Sequence, residues 1–395
     1  MNTNTFKKAI IILLIEFLWL SCFPGKSQNI ELIRAKSILQ QILSFYNAQH
    51  DHLFYEYYPY KPDNKESNQT GNNSITARRV AYLWPVLGVF SGVNALFKAT
   101  GDNQYRLLLE NTIMPGLEQY YDSLRKPACY QSYISSAGSS DRYYDDNVWL
   151  ALDFCESYKL TGNTEYLKKS VKTWQFIISG WDDQLGGGIY WCEQKKQSKN
   201  TCSNAPACVL AFKLFESTND SAYYKWGMRI YNWTKTNLQD STDLLYFDNK
   251  SLAGKINRQK YTYNSGQMLQ ASAIIYRLTG NKVYLNEAQQ IAKSAINHFT
   301  DGFTMAEGKR IKLFKNTGNW FNAVLLRGFA ELYSLDGNDQ YLIIFRDNMN
   351  QLWDHVRDKN GLFSKDWKGQ FDDQYKWLLD QASLVEILAT ISVLK

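Results

Sequence analysis

The sequence predicts an all-α fold, an (α/α)6 barrel of six helical hairpins. Three observations carry that prediction. A unit of about sixty residues recurs five times. Each unit joins a nearly all-apolar helix to an amphipathic one. The two ends of the chain supply the halves of a sixth unit.

The repeat reads FKATGDNQYRLLLE from Phe97, YKLTGNTEYLKKSV from Tyr158, FESTNDSAYYKWGM from Phe215, YRLTGNKVYLNEAQ from Tyr276 and YSLDGNDQYLIIFR from Tyr333. Its anchor tyrosines, Tyr105, Tyr166, Tyr223, Tyr284 and Tyr341, lie 61, 57, 61 and 57 residues apart. Gly101, Gly162, Gly280 and Gly337 stand where a helix ends and a left-handed residue is needed. The Asn, Asp or Thr that follows caps the next helix. The Tyr then docks the second helix on the first, giving a tight αα-hairpin.

In chain order, NIELIRAKSILQQILSFYNAQ opens the domain. The segments AYLWPVLGVFSGVNALFKA, NVWLALDFCESYKL and WFNAVLLRGFAELYSL are typical of the helices before each break. They are apolar nearly all round, so they form the inner layer. YKWLLDQASLVEILATISVL closes the chain and completes the sixth unit with the first helix. An open α-solenoid is the competing architecture. Its repeats are usually shorter and its terminal units carry polar caps, whereas this last helix is apolar to its end. The connections at 51–76, 125–144, 181–203, 239–263, 300–319 and 357–375 are long and rich in Gly, Asn, Tyr and Trp. Connections of that length in a compact domain are usually functional.

Composition narrows the function. The 395 residues are 45% hydrophobic and 15% aromatic, enough for a large core and for aromatic faces that stack on sugar rings. The net charge of +6 is scattered, with no basic run, which argues against a nucleic-acid partner. Lys7 and Lys8 precede an apolar run from Ala9 to Leu20, interrupted by Glu16. This is the pattern of an export signal, too short to span a bilayer permanently. Residues 1–28 are therefore expected to be a signal peptide and 29–395 a single catalytic domain, exported to the cell envelope or secreted. Cys22 follows Leu20-Ser21 as in a bacterial lipoprotein signal, and a lipid anchor there would be the one membrane attachment. Cleavage near Ser27 or Gln28 is the alternative. Of the other cysteines, Cys192 and Cys202 flank a polar loop and can either pair or serve as buried small hydrophobes. Neither these nor the four histidines form a metal-ligand pattern, and no cofactor is implied.

YYDDNVWLALDF, residues 143–154, carries the chemistry. Asp145 and Asp146 begin an inner helix, so they face the barrel mouth. They are also favourable helix-start residues. Adjacent carboxylates repel, however, so one should keep its proton while the other ionises, as an acid and a nucleophile require. Asp141 and Asp153 are nearby decoys. Gly186, Gly187 and Gly188 permit a tight bend before Tyr190 and Trp191. Asn200, Ser203 and Asn204 open the next inner helix and Tyr263 and Asn264 the one after, as caps or as sugar contacts. Trp84 and Trp320, near inner-helix starts, are candidate sugar platforms or core residues.

YYDDNVWLALD resembles the motif of glycoside hydrolase family 76, endo-α-1,6-mannanases with an (α/α)6 barrel. LGGGIYW at 185–191, KNTCSNAPA at 199–207, TYNSGQML at 262–269 and DQASLVEILA at 380–389 resemble that family's segments in the same order. TYNSG and FNAVLLRGF depart from its more usual wording, which bears on subsites rather than on chemistry. The resemblance implies a retaining endo-hydrolase of α-1,6-mannan with Asp145 as nucleophile and Asp146 as acid/base. Their places at the mouth make Tyr144, Asn147, Trp84, Asn200, Ser203, Asn204, Tyr263, Asn264 and Trp320 the expected substrate contacts. The partners expected are mannan or manno-oligosaccharides, bound by a monomer. The alternatives are a transglycosidase or other glycan-active enzyme on the same scaffold, or a non-catalytic glycan-binding surface protein.

Overall fold

The computed structural model describes residues 29–48, 52–61, 80–315 and 318–394. The expected signal peptide, with Lys7, Lys8 and Cys22, lies outside them. Each break in the repeat is a helix stop built from the same few bonds. Leu83–Thr100 (α2), Tyr144–Thr161 (α4), Thr262–Thr279 (α8) and Asn319–Asp336 (α10) end on left-handed Gly101, Gly162, Gly280 and Gly337. Thr201–Thr218 (α6) ends on Asn219, at φ 56°. Asn tolerates that conformation better than other side chains, which is why the repeat survives there without Gly. In four units a Thr hydroxyl locks the turn, donating back four residues and accepting an N–H two residues on. For Thr161 these bonds reach Ser157 O at 2.7 Å and Asn163 N at 3.1 Å. Asp102, Asn163, Asp220 and Asn281 then cap the return helices.

Those return helices form the outer layer: α3 (Asn103–Leu108, a π-turn at Leu109–Ile113, and Met114–Glu118), α5 (Thr164–Ser179), α7 (Ser221–Leu238), α9 (Lys282–Phe299) and α11 (Gln340–His355). The terminal helices α1 (Ile30–Phe45) and α12 (Leu378–Val393) pack together as the sixth pair, and α12 packs on both α2 and α10. The six inner helices close a ring, so the fold is the (α/α)6 barrel rather than a solenoid. Tyr341 docks on its own inner helix, stacking on Phe329 at 4.9 Å. Tyr223 and Tyr284 instead meet Trp174 and Tyr231 on the preceding outer helix, so the anchor tyrosine also joins neighbouring units.

Several of the long connections carry short strands. Tyr190–Cys192, Lys195–Asn200, Phe247–Ser251 and Ile256–Lys260 form one four-stranded antiparallel sheet that joins two successive connections over the barrel mouth. At the opposite end charges bind the inner helices together. Lys98 pairs with Glu156 at 2.8 Å, Lys159 with Glu216 at 3.2 Å, and Arg277 with both Glu216 and Glu331. No described helix is long and apolar enough to cross a membrane.

Closure needs close backbone approach at two seams. A Cβ on Gly92 would stand 3.2 Å from Ala382 O. One on Gly266 would stand 2.6 Å from Leu325 Cα, and one on Gly328 would collide with Gly266 O. Gly328→Ala is therefore expected to destabilise the protein by about 1–3 kcal/mol or more, because backbone cannot yield as a side chain does. The control Gly302→Ala meets only the flexible Arg310 guanidinium and should change stability by less than about 0.5 kcal/mol. Urea midpoints of the two variants, with unchanged slope, check both expectations.

Candidate active site

The inner helices all begin at the same end, so equivalent positions form layers around the mouth. The second residues are Trp84, Asp145, Cys202, Tyr263, Trp320 and Leu379; the third are Pro85, Asp146, Ser203, Asn264, Phe321 and Asp380. Successive helical residues differ by about 100° in direction, so one step along the sequence decides whether a side chain enters the mouth.

Asp145 is flanked by groups from three elements. The Trp191 indole donates to its Oδ2 at 3.0 Å; the Cys202 thiol and the N–H groups of Asp145 and Asp146 lie near the carboxyl and favour its ionised form, while its Oδ1 is buried without a hydrogen-bond partner. Trp191 reaches this position because the chain before it bends at Gly186, Gly187 and Gly188, all at positive φ. A Cβ on Gly188 would be 2.5 Å from Trp233, so only glycine lets the bend lie on that ring. Buried Arg142 ties the other side down. Its guanidinium bonds Glu193 at 2.5 and 2.7 Å and Pro127 O at 3.0 Å, and lies over the Phe176 ring.

Asp146 receives no such donors. Burial, then the charge of Asp145, pushes its carboxyl well above the usual range. Burial also raises Asp145, but the thiol, the indole and the two backbone N–H groups oppose it and the group settles at about 6. The pair thus has one carboxyl that ionises first and one that keeps its proton, which suits general acid catalysis beside a nucleophile.

Three residues expected to contact sugar are engaged elsewhere in the fold. Tyr144 is buried outside the ring, stacked on Phe176 at 4.7 Å, because as the first residue of α4 it points toward the outer layer. Tyr143 takes the place by the pair, its ring 4.8 Å from that of Trp191. Asn147 and Asn204 are backbone clamps. Asn147 accepts from Tyr130 N and donates to the carbonyls of Tyr130 and Tyr143. Asn204 does the same with Ile189 N, Ile189 O and Asn200 O. Both amide N–H groups are consumed in each case, and both residues are fully buried. Gln381 repeats the clamp on Phe363. Asn200 accepts from Ser198 Oγ at the end of its strand.

The remaining candidates converge. Tyr263 stacks on Phe321 at 4.1 Å, and Trp84 meets Trp320, Phe321 and Trp377 at 5.5–6.0 Å between ring centroids. Trp84 stays partly exposed while Trp320 is buried. The Ser203 hydroxyl, both amide atoms of Asn264 and the Trp320 indole N–H are buried without a hydrogen-bond partner. Orphaned polar atoms gathered at one level are the usual mark of a site built for a polar ligand. Of the decoys, Asp141 pairs with Lys195 at 2.8 Å. Asp153 accepts from Ser91 at 2.6 Å below the mouth and is raised to about 7 by burial. The five described cysteines beyond Cys22 are free and buried, so Cys192 and Cys202 do not pair. Among the described residues no group of three or more His, Cys, Asp or Glu side chains is placed to hold a metal ion. Sequence reasoning missed Arg142, Trp191 and Cys202 as site residues. It also missed Tyr82, which faces Asp146, and Asp248, which faces Cys202 and Tyr263. Trp191 and Cys202 stood inside motifs already singled out.

Comparison with known proteins bears on this geometry. A sequence profile described as glycosyl hydrolase family 76 matches residues 34–394. A putative mannan endo-1,6-alpha-mannosidase of Schizosaccharomyces pombe is 24% identical over 228 residues, 55% of this chain and 50% of that protein. A mannan endo-1,6-alpha-mannosidase of Saccharomyces cerevisiae is 29% identical over 132 residues, 31% of this chain and 29% of that protein. The matches thus span half or less of these curated relatives. Among solved structures, a family 76 mannosidase of Bacteroides thetaiotaomicron superposes with a TM-score of 0.85 at 29% identity, covering 92% of this chain and 98% of that one. A family 76 glycoside hydrolase from a bovine strain of that species gives 0.84 at 30%, covering 92% and 77%.

The clamp and the orphan make opposite predictions. Asn204→Ala removes three hydrogen bonds and should cost about 2–4 kcal/mol of stability. Ser203→Ala removes a hydroxyl that bonds nothing, so stability should hold or rise. Thermal and urea unfolding of the two variants measure this directly.

Proposed function

The chain belongs to glycosyl hydrolase family 76, and we propose that it is an exported, retaining endo-hydrolase of α-1,6-linked mannan. The observation that carries the proposal is the uneven provision for the two carboxyls: the Trp191 indole bonds Asp145, and Asp146 has no hydrogen-bond donor.

Asp145, the first to ionise, attacks the anomeric carbon of the bound mannosyl unit. Asp146 gives its proton to the departing glycosidic oxygen, leaving a covalent glycosyl-enzyme. Asp146, now a carboxylate, takes a proton from water as that water attacks the same carbon, and Asp145 leaves. Two displacements retain the configuration. The Trp191 indole steadies the ionised carboxylate before attack and after release. The aromatic wall of Trp84, Tyr263, Trp320 and Phe321 offers apolar faces to sugar rings, and the orphaned polar atoms offer partners to hydroxyls. Relatives named for mannan endo-1,6-alpha-mannosidase activity support the choice of linkage. The basic and apolar N-terminal stretch supports export.

Protein lacking residues 1–28, incubated with linear α-1,6-mannan, should give a ladder of oligosaccharides that shortens with time. Absence of any product would overturn the proposal. Because Asp145 must be ionised and Asp146 protonated, kcat/KM should rise with pH through a midpoint near 6 and fall at higher pH. Asp145→Ala and Asp146→Ala should each lose about 10³-fold or more in kcat/KM on mannan. With an activated aryl mannoside and azide, Asp146→Ala should yield the α-azide and Asp145→Ala the β-azide. The opposite assignment would exchange the two roles.

A further inference from the structure

Trp191 settles which oxygen of the nucleophile is free. Its indole takes Oδ2 of Asp145 at 3.0 Å, and Oδ1 is left buried without a partner. Yet the sheet does not fix Trp191 directly. The ladder between Tyr190–Cys192 and Lys195–Asn200 shifts register between Tyr190 and Cys192, the residues on either side of Trp191. Before it runs a bend that backbone alone holds poorly. Leu185, Gly186, Gly187 and Gly188 all stand at positive φ, which strains the leucine and costs the glycines chain entropy.

Lys199 closes that bend from inside. It pairs across the ladder with Tyr190, so its side chain shares that residue's face of the sheet, and its ammonium lies 4.8 Å from the centre of the Tyr190 ring. It is fully buried and bonds four oxygens: Asp182 Oδ1 at 2.6 Å, Gly187 O at 2.6 Å, Gln184 O at 2.7 Å and Asp182 O at 3.1 Å. A set of acceptors from three residues calls on all three N–H groups of a protonated amine. The other oxygen of the Asp182 carboxyl accepts the Tyr190 hydroxyl at 2.7 Å, so bend, ammonium and strand form one closed circuit. Lys199 has no surface open to solvent, so it does not touch a substrate.

We propose that Lys199 is a positioning residue for the Asp145 nucleophile, acting through Trp191. Its ammonium gathers the carbonyls of the 182–187 bend around one point, and through Tyr190 this sets where the Trp191 indole meets the carboxyl. The proposal rests on the nucleophile role given to Asp145 above.

An ammonium suits the place because one atom meets acceptors from several directions, and its charge strengthens each bond. Asp182 balances that charge, which makes its burial tolerable. Other fastenings hold the tip of the bend: the Trp233 indole donates to Leu185 O at 3.0 Å, and Arg229 lies 3.8 Å from Asp183. Lys199 instead ties its two ends, residues 182 and 187, to each other and to the strand that carries Trp191.

The test is a cycle between Lys199→Met and Trp191→Phe, read by kcat on α-1,6-manno-oligosaccharides. Each single change should lower kcat roughly tenfold, the weight of one hydrogen bond to a charged group, with KM kept within about twofold. If Lys199 acts through the indole, the double variant falls less than about twofold below Trp191→Phe alone. If the two effects multiply to roughly a hundredfold, Lys199 serves folding or another part of the site and the proposal falls. A second readout needs no turnover: the indole ¹H–¹⁵N resonance of Trp191, identified by its loss in Trp191→Phe. In Lys199→Met, and to a smaller extent in Asp182→Asn, it should move upfield toward that of a free indole. Methylammonium should restore it in Lys199→Ala. The Asp182 side chain is 39% exposed, so its variant keeps the test open where a lysine variant fails to fold. An unmoved resonance in the folded variants overturns the proposal. A moved resonance in a protein that hydrolyses no mannan keeps the link from Lys199 to Trp191 and overturns the mannanase reading alone.

Discussion

The first inner helix, Leu83–Thr100, and the last, Leu378–Val393, touch across the seam where the chain's two ends meet. Gly88 and Gly92 present bare backbone to Leu379, Ala382 and Val385, which leaves no room for a side chain at Gly92 without displacing Ala382 or Val385. A second such seam joins Gly266 and Gly328. Without these approaches six apolar helices would stack as a sheet of hairpins with two exposed edges. With them the ring closes and all six helix starts are brought around one opening. The partial positive charge of each helix start then faces the same small volume. That is the setting in which two adjacent carboxyls can be tolerated with little solvent and no cation beside them.

Within that volume a difference of one residue becomes a difference of role. Asp145 and Asp146 share a helix, a degree of enclosure and a side-chain type. The second position looks along the ring toward Cys202 and the Trp191 strand, and so collects donors. The third looks toward Tyr82 and the open side, and collects none. Electrostatic repulsion alone requires only that the two carboxyls titrate apart; it does not say which goes first. The order follows from where the neighbouring helices and the glycine bend at 186–188 place hydrogen-bond donors.

The sequence carried the architecture well because the repeat is written in residues with strong local consequences. Gly at a left-handed stop, Asn or Asp at a cap and an apolar inner helix each act within a few residues, and a period near sixty made them mutually consistent. The carboxyl pair was legible for the same reason, since its place at a helix start was local information. What the sequence hid was direction. Tyr143 and Tyr144 are adjacent and chemically identical, yet one lies beside the pair and the other is buried against the outer layer. Asn147 and Asn204 read as sugar-binding amides, but a fourth-position amide in these units reaches the backbone of the incoming loop, as Gln381 does in the last unit. A helix-start register accurate to one residue would have separated the layers, and boundaries are what sequence patterns locate least well. Trp191 and Arg142 act across gaps of 46 and 51 residues, which no local pattern records.

Beneath the pair the barrel changes character in a way that serves the mouth. Trp149, one turn below Asp145, meets Trp320 edge-on at 4.9 Å and seals the floor, and the Arg327 guanidinium lies 5.8 Å beyond it. Arg327 is held by Glu386 at 2.5 and 3.0 Å and by Ser91 at 3.1 Å, and Ser91 also bonds Asp153. This buried polar layer spans α2, α4, α10 and α12, the helices that must stay in register for Trp84, Asp145 and Trp320 to share one level. Its bonds are directional where the surrounding apolar contacts are not, so it fixes rotation as well as distance. The tryptophan floor separates this Arg327 from the carboxyls above. A cation in direct contact with Asp146 would draw off its proton. The barrel thus places its fixed charges where they hold the helices in register and leaves the carboxyl layer to hydrogen bonds, the arrangement that lets two neighbouring aspartates differ.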